Sequence, residues 1–180
     1  MGASSNLECH VLAAACTGIV ILPAVAYTLA NERLADFFDD LVRCETRLYN
    51  AVGEKLRAEH GIGASQFELL RYLRDHPRSR VADIATNFAA GIGAISKMAD
   101  RLEAQAWATR LPNPDDRRSS LITLTAKGAA LLAEAERTFH EHLDGLIATV
   151  ISTEQVATSA ATLAALRRAL EHARVGVPVG

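Results

Sequence analysis

At 180 residues, 49% hydrophobic and 22% charged, the chain has the composition of a soluble globular protein with one real core, which excludes disordered and fibrous classes. The net charge of −2 hides an asymmetry: Lys and Arg number 5 against 9 Asp and Glu in residues 1–70, 9 against 6 in 71–118, and 5 against 6 in 119–180. That basic middle matters because local potential, not net charge, draws phosphate.

No residue between Cys9 and Asn31 is charged, and an apolar run fills 11–22. A membrane anchor fits it badly. A spanning helix needs about 20 mainly apolar residues and Gly18 and Pro23 interrupt this one, while a secretory signal needs Lys or Arg ahead of the apolar core, where only Glu8 stands. An extra N-terminal helix packed on a dimer, or a start site placed too far upstream, is the better reading, so residues 1–33 are set apart as an N-terminal extension. Cys9, Cys16 and Cys44 are odd in number and form no Cys-x-x-Cys, which argues against a disulfide framework or zinc site and suits a reducing cytoplasm.

Leu34, Phe37, Phe38, Leu41, Leu48, Val52 and Leu56 recur at helical spacing, predicting a long amphipathic helix over 34–60. Cys44 on that helix is expected to be buried. Gly61 to Gly63 supply a turn, and Ser65-x-x-Glu68 reads as a capping box opening a helix to His76. Pro77 keeps the preceding residue out of helical geometry. Val81, Ile84, Ala85 and Phe88 share one face of the next helix, and Gly91 is expected to allow the tight turn that follows.

Ile95, Met98, Ala99 and Leu102 then form one apolar stripe, with Ser96, Lys97, Asp100 and Arg101 away from it. After Trp107 the period changes. Residues 112–116 are dense in residues that do not propagate a helix, and Ser119 to Thr125 suit a strand, so a helix leads into a hairpin with Arg117 and Arg118 at its charged tip. Thr125 is placed to cap a helix through Ala148, and Ser152-x-x-Gln155 opens a last helix carrying Val156, Leu163, Leu166 and Leu170. The apolar faces of these long terminal helices exceed what a small winged domain can bury, so a partner must cover them.

Gly93 through Leu102, Trp107, then Arg110-Leu111-Pro112-Asn113-Pro114-x-Asp116-x-Arg118 and Leu124-Thr125-x-x-Gly128, resemble the recognition helix and wing of the MarR family of regulators. The resemblance implies a mainly α fold, a winged helix-turn-helix with long N- and C-terminal dimerisation helices and one β-hairpin wing. It covers residues 34–173 as a single domain, with dimerisation helices at 34–60 and 126–173, the winged helix-turn-helix at 65–125, and a tail at 174–180. Lys97 and Arg101 lie one turn apart on the polar face, beside Ser96, while Gly93 and Ala94 let the backbone approach phosphate at the helix start. The resemblance gives Asp116 the role of wing brace and Arg118 that of minor-groove reader; Arg117 stands between a phosphate contact and a solvated surface. One departure is Ala106, where the family commonly has a glycine in left-handed conformation.

The family further implies a cytoplasmic homodimer on a palindromic operator in double-stranded DNA, most often a repressor, released by a small aromatic or phenolic effector, with no cofactor. A cysteine-based oxidant sensor is the alternative within the family. Its reactive cysteine lies earlier on the first helix, near Asp39, so Cys44 is not expected to fill that role. A membrane-anchored helical interaction protein is the alternative outside it. Gly91-x-Gly93-x-x-Ser96 is a poor dinucleotide loop, since it follows a helix and lacks the third glycine. Glu136, His140 and Asp144 share a helix face without a fourth metal ligand, and no nucleophile motif argues for an enzyme.

Overall fold

Residues 24–52 contain neither glycine nor proline, and a helix begins at the start of that stretch. The computed structural model describes residues 24–178, and its first helix, α1, runs Ala24–His60. This corrects the expected start at Leu34. Ala24, Ala26, Leu29 and Ala30 are strong helix formers, so the helix needs no apolar stripe to begin. The apolar run at 11–22 lies outside the described residues; among those described, no helix is long and apolar enough to cross a membrane.

By contacts the chain divides into residues 1–44 and 45–180, a boundary that falls within α1. In the first unit Leu34, Phe37, Phe38 and Val42 are exposed, and Arg43 donates to Asp39 one turn away at 2.7 Å. Cys44 is exposed as well, which corrects the expectation of burial: the buried stripe of α1 begins only at Val52 and Leu56.

The second unit continues with α2 (Ala64–Asp75), β1 (Ser79–Arg80), α3 (Val81–Asn87), α4 (Ile92–Ala104), β2 (Ala108–Pro112), β3 (Ser120–Leu124), α5 (Ala126–Ile147) and α6 (Thr153–His172). Its core gathers Leu56, Phe67, Leu70 and Leu73 with Ile84, Ile95, Leu102, Ile122 and Leu132, all nearly or wholly buried. Periodicity accounts for this, because each helix turns one apolar face inward. The Phe67 and Phe139 rings meet at 5.0 Å between centroids, and the Arg71 guanidinium lies over both, which fastens α2 to α5.

The expected Ser65–Glu68 capping box is not the one used. The N-cap is Gly63, whose N–H donates to Gln66 Oε1 at 3.0 Å, while Glu68 accepts from Arg71 instead. Gln66 sits three residues after the extended Gly63 that ends the turn, so its side chain reaches back to that N–H; glycine has no side chain to return the bond, and only this half of a capping box forms. The Ser152–Gln155 box does form, with both bonds present.

β1 has no counterpart in the sequence reading; two residues are too few to show a period. It pairs antiparallel with β3, Ser79 opposite Ile122, to make a sheet of order β1-β3-β2. β2 and β3 form the hairpin, from Ala108 opposite Leu124 to Pro112 opposite Ser120. β2 is an edge strand, which tolerates the absent N–H of Pro112.

Candidate nucleic-acid interface

The turn between α3 and α4 is made by Ala89, not by the glycine expected to make it. Ala89 has φ of 47°, with its N–H on Thr86 O and the Ala90 N–H on Ala85 O at 2.9 Å, a left-handed helix end. Gly91 instead holds an ordinary extended conformation as the N-cap of α4. No side chain caps that helix, and a Cβ built on Gly93 would meet nothing within 4 Å. The Ala94 and Ile95 N–H groups donate to Gly91 O at 3.0 and 3.2 Å, which leaves the Ile92 and Gly93 amides at the positive end of the helix dipole.

Along α4, Ile95, Ala99 and Leu102 are buried, so the opposite face is fixed outward: Ala94, Lys97 and Arg101 are exposed and Ser96 is half-buried. Arg110 of β2 clamps this helix from the side. Its guanidinium reaches Asp100 and Glu103, both at 2.7 Å, and its backbone N–H donates to Glu103 Oε1 at 3.1 Å. Although partial burial pulls the other way, the two carboxylates hold the guanidinium above its usual pKa. Arg110 is thus a brace that sets the angle between α4 and the hairpin.

The far end of α4 closes on Ala106, with φ of 58°, the Ala106 N–H on Glu103 O at 2.8 Å and the Trp107 N–H on Leu102 O at 2.9 Å. The geometry a glycine would have favoured is kept with alanine. Thr125 then stitches the start of α5 to the same turn: its N–H donates to Trp107 O at 3.0 Å, its hydroxyl to Ala106 O at 2.7 Å, and it accepts the Gly128 N–H. Gly128 lies so close that a Cβ there would fall 2.0 Å from Trp107 O.

At the hairpin tip, Asn113 is buried, with its amide on Ser119 Oγ at 2.8 Å and its oxygen accepting the Asp115 N–H at 3.1 Å. Asp116 Oδ1 accepts the Arg118 backbone N–H at 2.9 Å, and its carbonyl takes the Ser119 N–H. The loop is held from within while the Arg117 and Arg118 side chains stand exposed. Asn113 was missed as a brace in the sequence, although asparagine followed by proline and aspartate is a turn former with this bonding capacity.

Of the nine Lys and Arg in residues 71–118, Arg71, Arg74, Arg80 and Arg110 are tied in ion pairs. The Arg80 guanidinium holds the Asp83 carboxyl below its usual range. Among the described residues, Lys97, Arg101, Arg117 and Arg118 form no such pair, nor does Arg78, an exposed residue in left-handed conformation at φ of 63° that no sequence signal singled out. Four acids of the same stretch, Asp75, Asp83, Asp100 and Glu103, answer the tied arginines, leaving Asp115 and Asp116. What remains is five cations, Arg78, Lys97, Arg101, Arg117 and Arg118, against two acids, Asp115 and Asp116. Glu136, weighed above as a metal ligand, is taken by Arg71 and Arg74.

The family profile of the MarR family matches residues 62–120. The multiple antibiotic resistance protein MarR of Escherichia coli (strain K12) is 31% identical over 97 residues, covering 54% of this chain and 67% of its own length. The HTH-type transcriptional repressor NicR of Pseudomonas putida is 32% identical over 92 residues, 51% of this chain and 58% of NicR. Among solved structures, the transcriptional repressor CouR bound to a 23-mer DNA duplex superposes with a TM-score of 0.65 at 25% identity, covering 71% of this chain and 89% of CouR.

Proposed function

The chain belongs to the MarR family of DNA-binding transcriptional regulators, and from that premise we propose that it is a homodimeric, cytoplasmic repressor of a palindromic operator, released by a small aromatic or phenolic acid. Each copy presents α4 to a major groove through Gly93, Ala94, Ser96, Lys97 and Arg101, and lays the hairpin tip in the flanking minor groove. There Arg118 reads the groove, Arg117 meets phosphate and Asp116 holds the loop in shape. The observation that carries this reading is the set of unpaired cations within residues 71–118: that stretch ties Arg71, Arg74, Arg80 and Arg110 in ion pairs and, among the described residues, leaves Lys97 and Arg101 on α4 and Arg117 and Arg118 on the hairpin unpaired. Arg78 joins them as a phosphate contact. The reading assigns no catalysis, and the relatives above are regulators.

The homodimer is supported by α6, twenty residues long without one buried side chain, and by exposed Leu146, Leu163, Leu166 and Leu170. The effector reading draws on a half-open pocket of about 190 Å³ between α1 and the start of α2, lined by Tyr49, Asn50, Glu54, Arg57 and Ser65 among others. Sites for drug-sized ligands run to roughly 300–1,000 Å³, so this one suits a single-ring acid. The Tyr49 phenol is a donor at neutral pH at its ordinary pKa, and burial raises that pKa further. Arg57, in no ion pair among the described residues, is available to a carboxylate.

The test is selection of bound fragments from the organism's own DNA. A recurring palindrome is the expected result, and no enrichment over random fragments would overturn the proposal. Loss of the enriched DNA on adding single-ring aromatic acids, together with a rise in thermal stability, tests the effector separately; a ligand at 100 times its Kd adds about 2.7 kcal/mol.

A further inference from the structure

Ile92 is 60% exposed, and among the described residues it is the only large apolar side chain so placed between positions 50 and 145. The other exposed ones fall at 34–49 or 146–175, on or next to the long helices that a second copy would cover. A single exposed apolar residue is ordinary on a protein surface. What distinguishes Ile92 is its position as the first residue of α4. Its neighbours Gly91, Gly93 and Ala94 carry at most one side-chain carbon, and the space that side chains on the two glycines would occupy is open. Ile92 therefore stands alone at the end of the helix that enters the groove first. β-branching leaves it one strongly preferred rotamer in a helix, so it loses little freedom on contact. It offers no hydrogen bond, and the apolar feature of the major groove is the C5-methyl group of thymine.

We infer that Ile92 packs against a thymine C5-methyl group in each half-site, and so selects thymine over cytosine at that base pair. The inference rests on the DNA-binding reading above. Burial of one methyl group corresponds to about fourfold in affinity per head, or about fifteenfold for both heads of a dimer.

The probe is the duplex that the wild-type protein selects from a random-sequence pool, prepared with thymine and then with deoxyuridine at each thymine position in turn, which removes the methyl and leaves base pairing intact. Wild type is expected to lose about fifteenfold when one symmetric pair of thymines is replaced. Ile92→Ala is expected to bind the thymine duplex more weakly and to show no preference between the two, while Ile92→Val keeps the preference. Thermal unfolding checks that both variants fold, as an exposed site predicts. A wild-type protein indifferent to every methyl, or an Ile92→Ala variant with the wild-type thymine preference, overturns the inference while leaving DNA binding intact. Failure of the wild type to select any duplex instead overturns the reading on which it stands.

Discussion

Gly128→Ala places a methyl group where α5 meets the turn after α4, and the same helix holds a control. Elsewhere in a helix, alanine in place of glycine stabilises by up to about 1 kcal/mol, and Gly145, with nothing within 4 Å of its added Cβ, should show that gain. At Gly128 the added Cβ would lie 2.0 Å from Trp107 O, 2.8 Å from Trp107 C and 2.9 Å from Leu124 Cδ1. Two of those atoms are backbone, so α5 and the start of β2 must separate. Overpacking of this kind costs about 1–3 kcal/mol. Separation also strains the Thr125 cap and its bond to Trp107 O, each worth about 1 kcal/mol. Against a propensity gain of about 1 kcal/mol, the net loss is about 2–4 kcal/mol, or a fall in Tm on the order of 10 °C for a chain of this size. Thermal unfolding followed by circular dichroism, at one protein concentration for wild type and both variants, measures it. Opposite signs at the two glycines are expected. A Gly128→Ala protein as stable as wild type would refute the reasoning that the α5–Trp107 contact is rigid.

Ala106→Gly should raise stability by about 1 kcal/mol, since it relieves a left-handed alanine, and the same melting experiment reads it. Lys97→Ala should weaken specific and random duplexes alike and reduce the log K against log salt slope by about 0.9 for each phosphate left unneutralised, whereas Arg118→Ala should chiefly erase a preference for A·T-rich flanks; anisotropy titrations at several salt concentrations separate the two. Replacing Leu163 and Leu166 with glutamate should yield a monomer by light scattering, because these exposed residues need a partner surface. The Asp83 carboxyl, held low by Arg80, should titrate in the native protein below an ordinary aspartate and return toward the usual value in Arg80→Ala. Its contribution to stability is present above the unfolded value and lost as the pH falls through the native one, which a carbon-13 titration can follow.

Much of this was legible in the chain, for local reasons. The stripe of Ile95, Ala99 and Leu102, the break after Trp107, the Thr125 and Ser152 caps and the charged hairpin all follow from side-chain spacing and backbone preference within a few residues. At Ala106 the resemblance marked only a departure from the family's glycine and left the helix end in question; the structure keeps the left-handed geometry with alanine. Tertiary structure alone decided three other matters. Which cations are free is one: Arg110 is answered by Asp100 and Glu103 on the neighbouring helix, while Lys97 is not, and charge counted along the chain does not tell them apart. The turn before α4 is another, since Ala89 takes the strained conformation and Gly91 the relaxed one. The third is Ile92, three residues before Ile95 and in phase with its stripe, yet exposed because the core ends one turn short of it. Periodicity fixes the face of a helix on which a residue lies. Only the packed neighbours decide how far along that face the protein extends, and so what is left for a partner to touch.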